Sequence, residues 1–179
     1  MKITDMSDSL FNREMQRLLG DVQFWLIRLD QVGHLEFAET PVEEQPFPLA
    51  FKLRQVWDYA AGEIQCPEEI DDTIRSLYEL LWQPVAGASY DIPPTWWDEP
   101  LGFMCRLARA RQTLDDGEDL SAEQLAILAD VSIRRITQLC ASKEISAKKK
   151  EQSQGGQPEW SIPAKTAYKW LMERRMRGN

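Results

Sequence analysis

Residues 120–139 read LSAEQLAILADVSIRRITQL, and the rest of the chain is interpreted outward from them. Ser121-Ala122-Glu123-Gln124 opens the stretch with a capping box, in which the serine hydroxyl and a glutamine three residues on satisfy each other's free N–H groups. Ala126 falls where two helices would touch and only a small side chain fits. Asp130, four residues later, marks a tight turn between them. The backbone of such a turn is left-handed, and Asp takes that conformation at lower cost than most residues but not as readily as Gly. Val131, Ile136 and Leu139 are the apolar anchors of a second helix. Ser132, Arg134, Arg135, Thr137 and Gln138 are then left pointing outward from it.

That outward set suits the edges and backbone of double-stranded DNA. Arg matches guanine, Gln matches adenine, and Ser or Thr match either. Arg134 and Arg135 stand about 100° apart on a helix, so one is expected to read a base and the other to hold a phosphate. Ile133 suits either a thymine methyl or a half-buried site.

After this helix come two strand-like runs, Ile145–Lys150 (ISAKKK) and Glu159–Ile162 (EWSI), separated by EQSQGGQP with a Gly155-Gly156 turn signal. Pro163 suits the first position of a closing helix, PAKTAYKWLMERR, where its missing N–H costs nothing. Ala167, Trp170 and Leu171 recur on it at helical spacing. The order is helix, turn, helix, hairpin, helix. Residues 120–177 therefore resemble the winged helix-turn-helix of excisionase-type and mercury-resistance-regulator-type DNA-binding domains. The resemblance implies a recognition helix at about 132–140 in the major groove and a basic wing over 143–162. Lys143, Lys148, Lys149 and Lys150 would then contact phosphates or the minor groove and add affinity rather than sequence choice. The three lysines equally suit a solvated strand edge guarded against aggregation.

Upstream, Leu101–Leu114 is expected to be the first helix of a three-helix core. Arg106, Arg109 and Arg111 on it either reach phosphates or are solvated. Gln83–Pro100, rich in proline and small residues, is the domain boundary, dividing the chain into an acidic helical domain (1–95) and a DNA-binding domain (96–179). Trp96 and Trp97 at its end read as a packing brace. A base-stacking platform is disfavoured because Asp98 and Glu99, not basic residues, follow.

The charge distribution agrees with this division. The net formal charge of −8 is unlike that of a protein that simply coats DNA. Residues 1–97 hold 7 Lys and Arg against 17 Asp and Glu, whereas residues 98–179 hold 14 against 12. The acidic half should face away from DNA, and the modest basic excess calls for a dimer.

In the first half, Ser7-Asp8-Ser9 can cap a helix running to about Asp30. Its Phe11, Met15, Leu18, Val22, Trp25 and Leu29 follow a 4-3-4-3-4 spacing, a heptad seam that suits either a homodimer or packing within the domain. Leu35–Ala50 reads as an irregular connector. A second helix covers about Leu49–Ala61, ended by Gly62. A third begins near Pro67 with acidic residues in its first turn, and buries Ile70, Ile74, Leu77 and Leu81.

Cys66, Cys105 and Cys140 form no metal-binding spacing with each other or with His34, and are expected to be buried thiols in a reducing compartment. No cofactor is implied. No stretch approaches the ~20 apolar residues of a membrane span, and the first 15 residues lack a signal-peptide core, so the expected location is cytoplasmic. With one His and no GxxxxGK[ST], GxGxxG or HExxH, nothing marks an enzyme. The fold expected is mainly α, an acidic helical domain followed by a winged helix-turn-helix. The function expected is that of a bacterial or phage transcription regulator. An excisionase-like DNA-bending factor, or an adaptor whose helices and acidic half contact proteins, are the alternatives.

Overall fold

A computed structural model describes residues 1–33, 47–83, 90–150 and 159–176. Helices make up 72% of the described residues, and the rest includes one small three-stranded antiparallel sheet. The chain forms two compact units, residues 1–102 and 103–179. The boundary read from sequence, after residue 95, thus lies seven residues before the end of the first unit. His34, most of the expected connector, Pro84, the Gly155-Gly156 turn and Arg177 lie outside the described residues.

The first unit contains α1 (Asp8–Gly33), α2 (Pro48–Ala61), α3 (Ile70–Trp82) and the start of α4 (Pro100–Asp115). Phe11, Met15 and Leu18 of α1 join Leu53, Val56 and Trp57 of α2 and Ile70, Ile74 and Leu77 of α3 among the buried apolar side chains. Phe11 meets Trp57 edge to face, with ring centroids 5.6 Å apart. The heptad seam is therefore used within the unit along its first half. Further on, Val22 is half-buried and Trp25 is 45% exposed. Arg54 draws α1 and α2 together by pairing with Asp8 and, at 2.7 Å, with Asp58. Hydrogen bonds to these two carboxylates raise its pKa above the usual arginine value.

Gly62 ends α2 as expected. It adopts φ 88° and donates its N–H to the carbonyls of Asp58 and Tyr59. Two expected boundaries are corrected. α2 starts at Pro48, one residue before the expected Leu49, because Pro48 is accommodated in a first turn, where no N–H is needed. The third helix starts at Ile70, not near Pro67, because Glu68 and Glu69 form a turn first. Glu69 pairs with Lys52 of α2, and this hydrogen bond holds its carboxyl below the usual range.

Trp96 and Trp97 lie on a short 3-10 turn, Pro94–Asp98, and belong to an aromatic cluster in this unit. Trp96 is buried, with ring centroids 5.6 Å from Tyr78 and 6.1 Å from Trp82. Trp97 lies 5.9 Å from Tyr78 and 5.0 Å from Trp96. Gly102 on α4 passes so close to this turn that a Cβ there would fall 2.1 Å from the Trp96 carbonyl oxygen.

In the second unit, β1 (Leu120–Ser121) precedes α5 (Ala122–Ala129) and α6 (Ile133–Ala141), followed by β2 (Lys148–Lys150), β3 (Glu159–Ile162) and α7 (Ala164–Met176). The strand order is β1-β3-β2. Leu120 pairs with Ile162 and Ser121 with Ser161, while Lys148, Lys149 and Lys150 pair with Ser161, Trp160 and Glu159. The expected hairpin thus gains a third strand. Pro163 stands just outside α7, its carbonyl accepting the N–H groups of Thr166 and Ala167. Ala167 is fully buried, while Trp170 and Leu171 are only half-buried.

Not all the cysteines are buried. Cys105 and Cys140 are, but Cys66 is exposed, because it falls in the irregular segment between Gly62 and α3. Desolvation also pushes the Cys140 thiol up, away from its reactive thiolate. A thiol reagent should therefore label one cysteine per folded chain within minutes and all three after unfolding. Rapid labelling of two or three would contradict this packing.

Among the described residues, no helix is long and apolar enough to cross a membrane, and no group of three or more His, Cys, Asp or Glu is placed to hold a metal ion.

Candidate functional site

The capping box at α5 forms as its residues dictate. Ser121 Oγ accepts the Gln124 N–H at 3.1 Å, and Gln124 Oε1 accepts the Ser121 N–H at 2.8 Å. Gln124 Nε2 also donates to Thr113 Oγ1 at 3.0 Å, tying the start of α5 to the end of α4.

Asp130 then turns the chain, with φ 51° and ψ 50°. Its N–H donates to Ile127 O at 3.4 Å and the Val131 N–H donates to Ala126 O at 3.1 Å, the two bonds of a Schellman motif. Ala126, 2% exposed, thus contributes both a small side chain and a carbonyl at the corner. Ser132 caps α6, its Oγ accepting the Arg135 N–H at 3.2 Å. The hydroxyl proton remains available to a second acceptor.

α6 has two contrasting faces. Ile136, Leu139 and Cys140 are buried, and α6 packs against α5, whose Leu125, Ala126 and Ala129 are buried as well. Ser132, Arg134, Arg135, Thr137 and Gln138 are all exposed. Ile133 is exposed too, at 48%, in the first helical position of this polar face. The two alternatives for Ile133 are thereby reduced to the solvent-facing one.

Lys143 follows α6 in a left-handed conformation, φ 62°, and is exposed. No glycine or asparagine announced this turn. It forms because the Lys143 N–H reaches Cys140 O at 3.2 Å and the Ile145 N–H reaches Leu139 O at 3.1 Å, burying Ile145 to 1% exposure. A lysine held there costs about 1–2 kcal/mol relative to a relaxed backbone. Lys143→Gly should therefore raise stability by about 1 kcal/mol, measured by denaturant unfolding, since glycine adopts positive φ freely. An unchanged or lower midpoint would argue against strain at this position.

Lys148 and Lys149 are exposed on β2, whereas of Lys150 only the backbone is described. Lys149 Nζ lies 5.2 Å from the ring centroid of Trp160, directly across the ladder, so its charge rests on an aromatic face. On β3, buried Ser161 donates its hydroxyl to Asp119 at 2.7 Å.

The arginines of α4 do not act as one group. Arg106 pairs with Glu123 of α5 at 3.0 Å, Arg109 is exposed and Arg111 is half-buried. Arg106 is therefore committed to holding α4 on α5. Residues 103–179 carry 14 Lys and Arg against 10 Asp and Glu.

Compared with protein-family models, curated proteins and solved structures, the chain matches none at a significant level.

Proposed function

We propose that residues 120–176 are a winged helix-turn-helix that binds double-stranded DNA sequence-specifically, and that the protein is a transcription regulator acting as a homodimer. One observation carries this reading above the rest. Ser132, Arg134, Arg135, Thr137 and Gln138 are all exposed on the one short helix whose opposite face is buried. Side chains that match base edges and phosphates are thus gathered where a groove could receive them. α6 would enter the major groove, its N-terminal residues meeting the bases. The exposed lysines Lys143, Lys148 and Lys149, with Lys150 on the same strand, would lie along the flanking backbone. The small basic excess of this unit gives one protomer limited affinity, which two protomers on adjacent half-sites would multiply.

The test is retention of genomic DNA fragments by the purified protein across a salt series. Enrichment of a few sites supports the regulator. A steep fall of affinity with salt, without site preference, supports a DNA-bending factor instead. If no DNA is retained at low salt, DNA binding is rejected and the protein-contacting adaptor takes its place.

Within an enriched site, exposed Ile133 is expected to pack on one thymine methyl. Replacing that thymine by deoxyuridine removes a methyl worth ~0.8 kcal/mol, about a fourfold loss of affinity. Ile133→Ala should be insensitive to the exchange. Equal sensitivity in both proteins would reject this contact and leave the rest of the interface standing.

A further inference from the structure

We propose that the first unit binds a small organic cation with an apolar body, in a cavity between the second half of α1 and the last turns of α3. This proposal is independent of the DNA reading.

The cavity measures ≈660 Å³. Small-molecule sites fall roughly between 300 and 1,000 Å³. Val22, Leu26 and Leu81 supply apolar wall, and Trp25, Phe47 and Trp82 supply rings. Among the described residues, Asp21 and Glu79 are the charged ones of the lining, and no Lys, Arg or His lines it. Both carboxylates belong to exposed residues, and neither makes an ion pair among the described residues.

Two unpaired carboxylates at an apolar, ring-walled cavity select for positive charge. An apolar body gains by leaving water, its charge gains from the carboxylates, and aromatic faces attract cations further. The Phe24 ring, which also lines the cavity, is taken by Arg28, 5.2 Å from its centroid, so a ligand would use the rings of Trp25, Phe47 and Trp82, and the charge of Arg28 works against the two carboxylates. The unit as a whole favours a cation, because residues 1–102 hold 19 Asp and Glu against 7 Lys and Arg. Such a field concentrates cations and repels anions.

Asp21 and Trp82 also border a smaller cavity of ≈210 Å³. There Glu14 and Glu99 are already engaged by Arg17, at 3.9 and 3.4 Å. Of the two uncommitted carboxylates, Glu79 borders the larger cavity alone and Asp21 borders both.

The test is calorimetric titration of the full-length protein with tetraphenylphosphonium, its near-isosteric anion tetraphenylborate, and neutral triphenylphosphine oxide. The cation should bind saturably and at least tenfold more tightly than the neutral compound, and the borate should not bind. Asp21→Asn with Glu79→Gln should weaken the cation at least tenfold and leave the neutral compound unchanged. Both positions are exposed, so the double variant should retain the helical circular dichroism of the wild type. Equal affinity for all three compounds would overturn the selection for charge. Undiminished cation affinity in the double variant would overturn the assignment to these carboxylates. Absence of saturable binding, or a dimer seen by sedimentation that excludes the cation, would overturn the site.

Discussion

Replacing Arg134 and Arg135 together by alanine should weaken binding to an enriched DNA site by about 100-fold at physiological salt. The magnitude follows from losing one bidentate base contact, worth about 1–3 kcal/mol, together with one phosphate contact. Both side chains are exposed, and Ile136, Leu139 and Cys140 would still bury the other face of α6. The variant should therefore unfold at nearly the wild-type denaturant concentration, which separates lost contact from lost fold. The single variants divide the roles. Loss of the base-reading arginine should relax sequence preference at one position. Loss of the phosphate-holding arginine should weaken all sequences alike and reduce the salt slope by about one. Wild-type retention of DNA by the double variant, measured by anisotropy on a labelled fragment, would remove α6 from the interface.

Gly102→Ala should be the most damaging single-methyl change in the first unit. The added carbon would fall 2.1 Å from the Trp96 carbonyl oxygen and 2.9 Å from the Trp97 Cα, both backbone atoms. A flexible side chain could swing aside, but here α4 or the turn beneath it must move. Overpacking of this kind costs about 1–3 kcal/mol. The upper end is expected, because the turn carries Trp96, which packs on Tyr78 and Trp82. Unfolding followed by tryptophan emission should show an earlier transition in the variant. A midpoint within error of the wild type would mean that α4 does not approach the turn this closely.

How much could be read from sequence depended on how local each signal was. α6 was legible because its instructions lie within ten residues: a serine cap, apolar residues at Ile136 and Leu139, and polar residues between them. The capping box at Ser121 and Gln124 and the stop at Gly62 were legible for the same reason. β1 was not, because two residues carry no period. Leu120 and Ser121 become a strand only through Ile162 and Ser161, some forty residues later. The left-handed turn at Lys143 was hidden because lysine gives no hint of positive φ, and burial of Ile145 drives it. The first unit also used only part of α1's heptad seam, leaving Trp25 partly exposed, since a spacing of apolar residues does not say what will cover them. The cavity beside Trp25 and Trp82 was invisible for the complementary reason. It is made by gaps between helices, and no residue encodes a gap.

The sheet also has a mechanical consequence. Lys148, Ser161 and Ser121 stand in one transverse row, paired strand to strand. Ser121 is at the same time the residue that caps α5. A tug on the edge strand is therefore carried straight across two ladders to the first turn of α5, bypassing the covalent path through both helices. The little sheet works as a tie bar, holding the two ends of the α5–α6 pair at a fixed span.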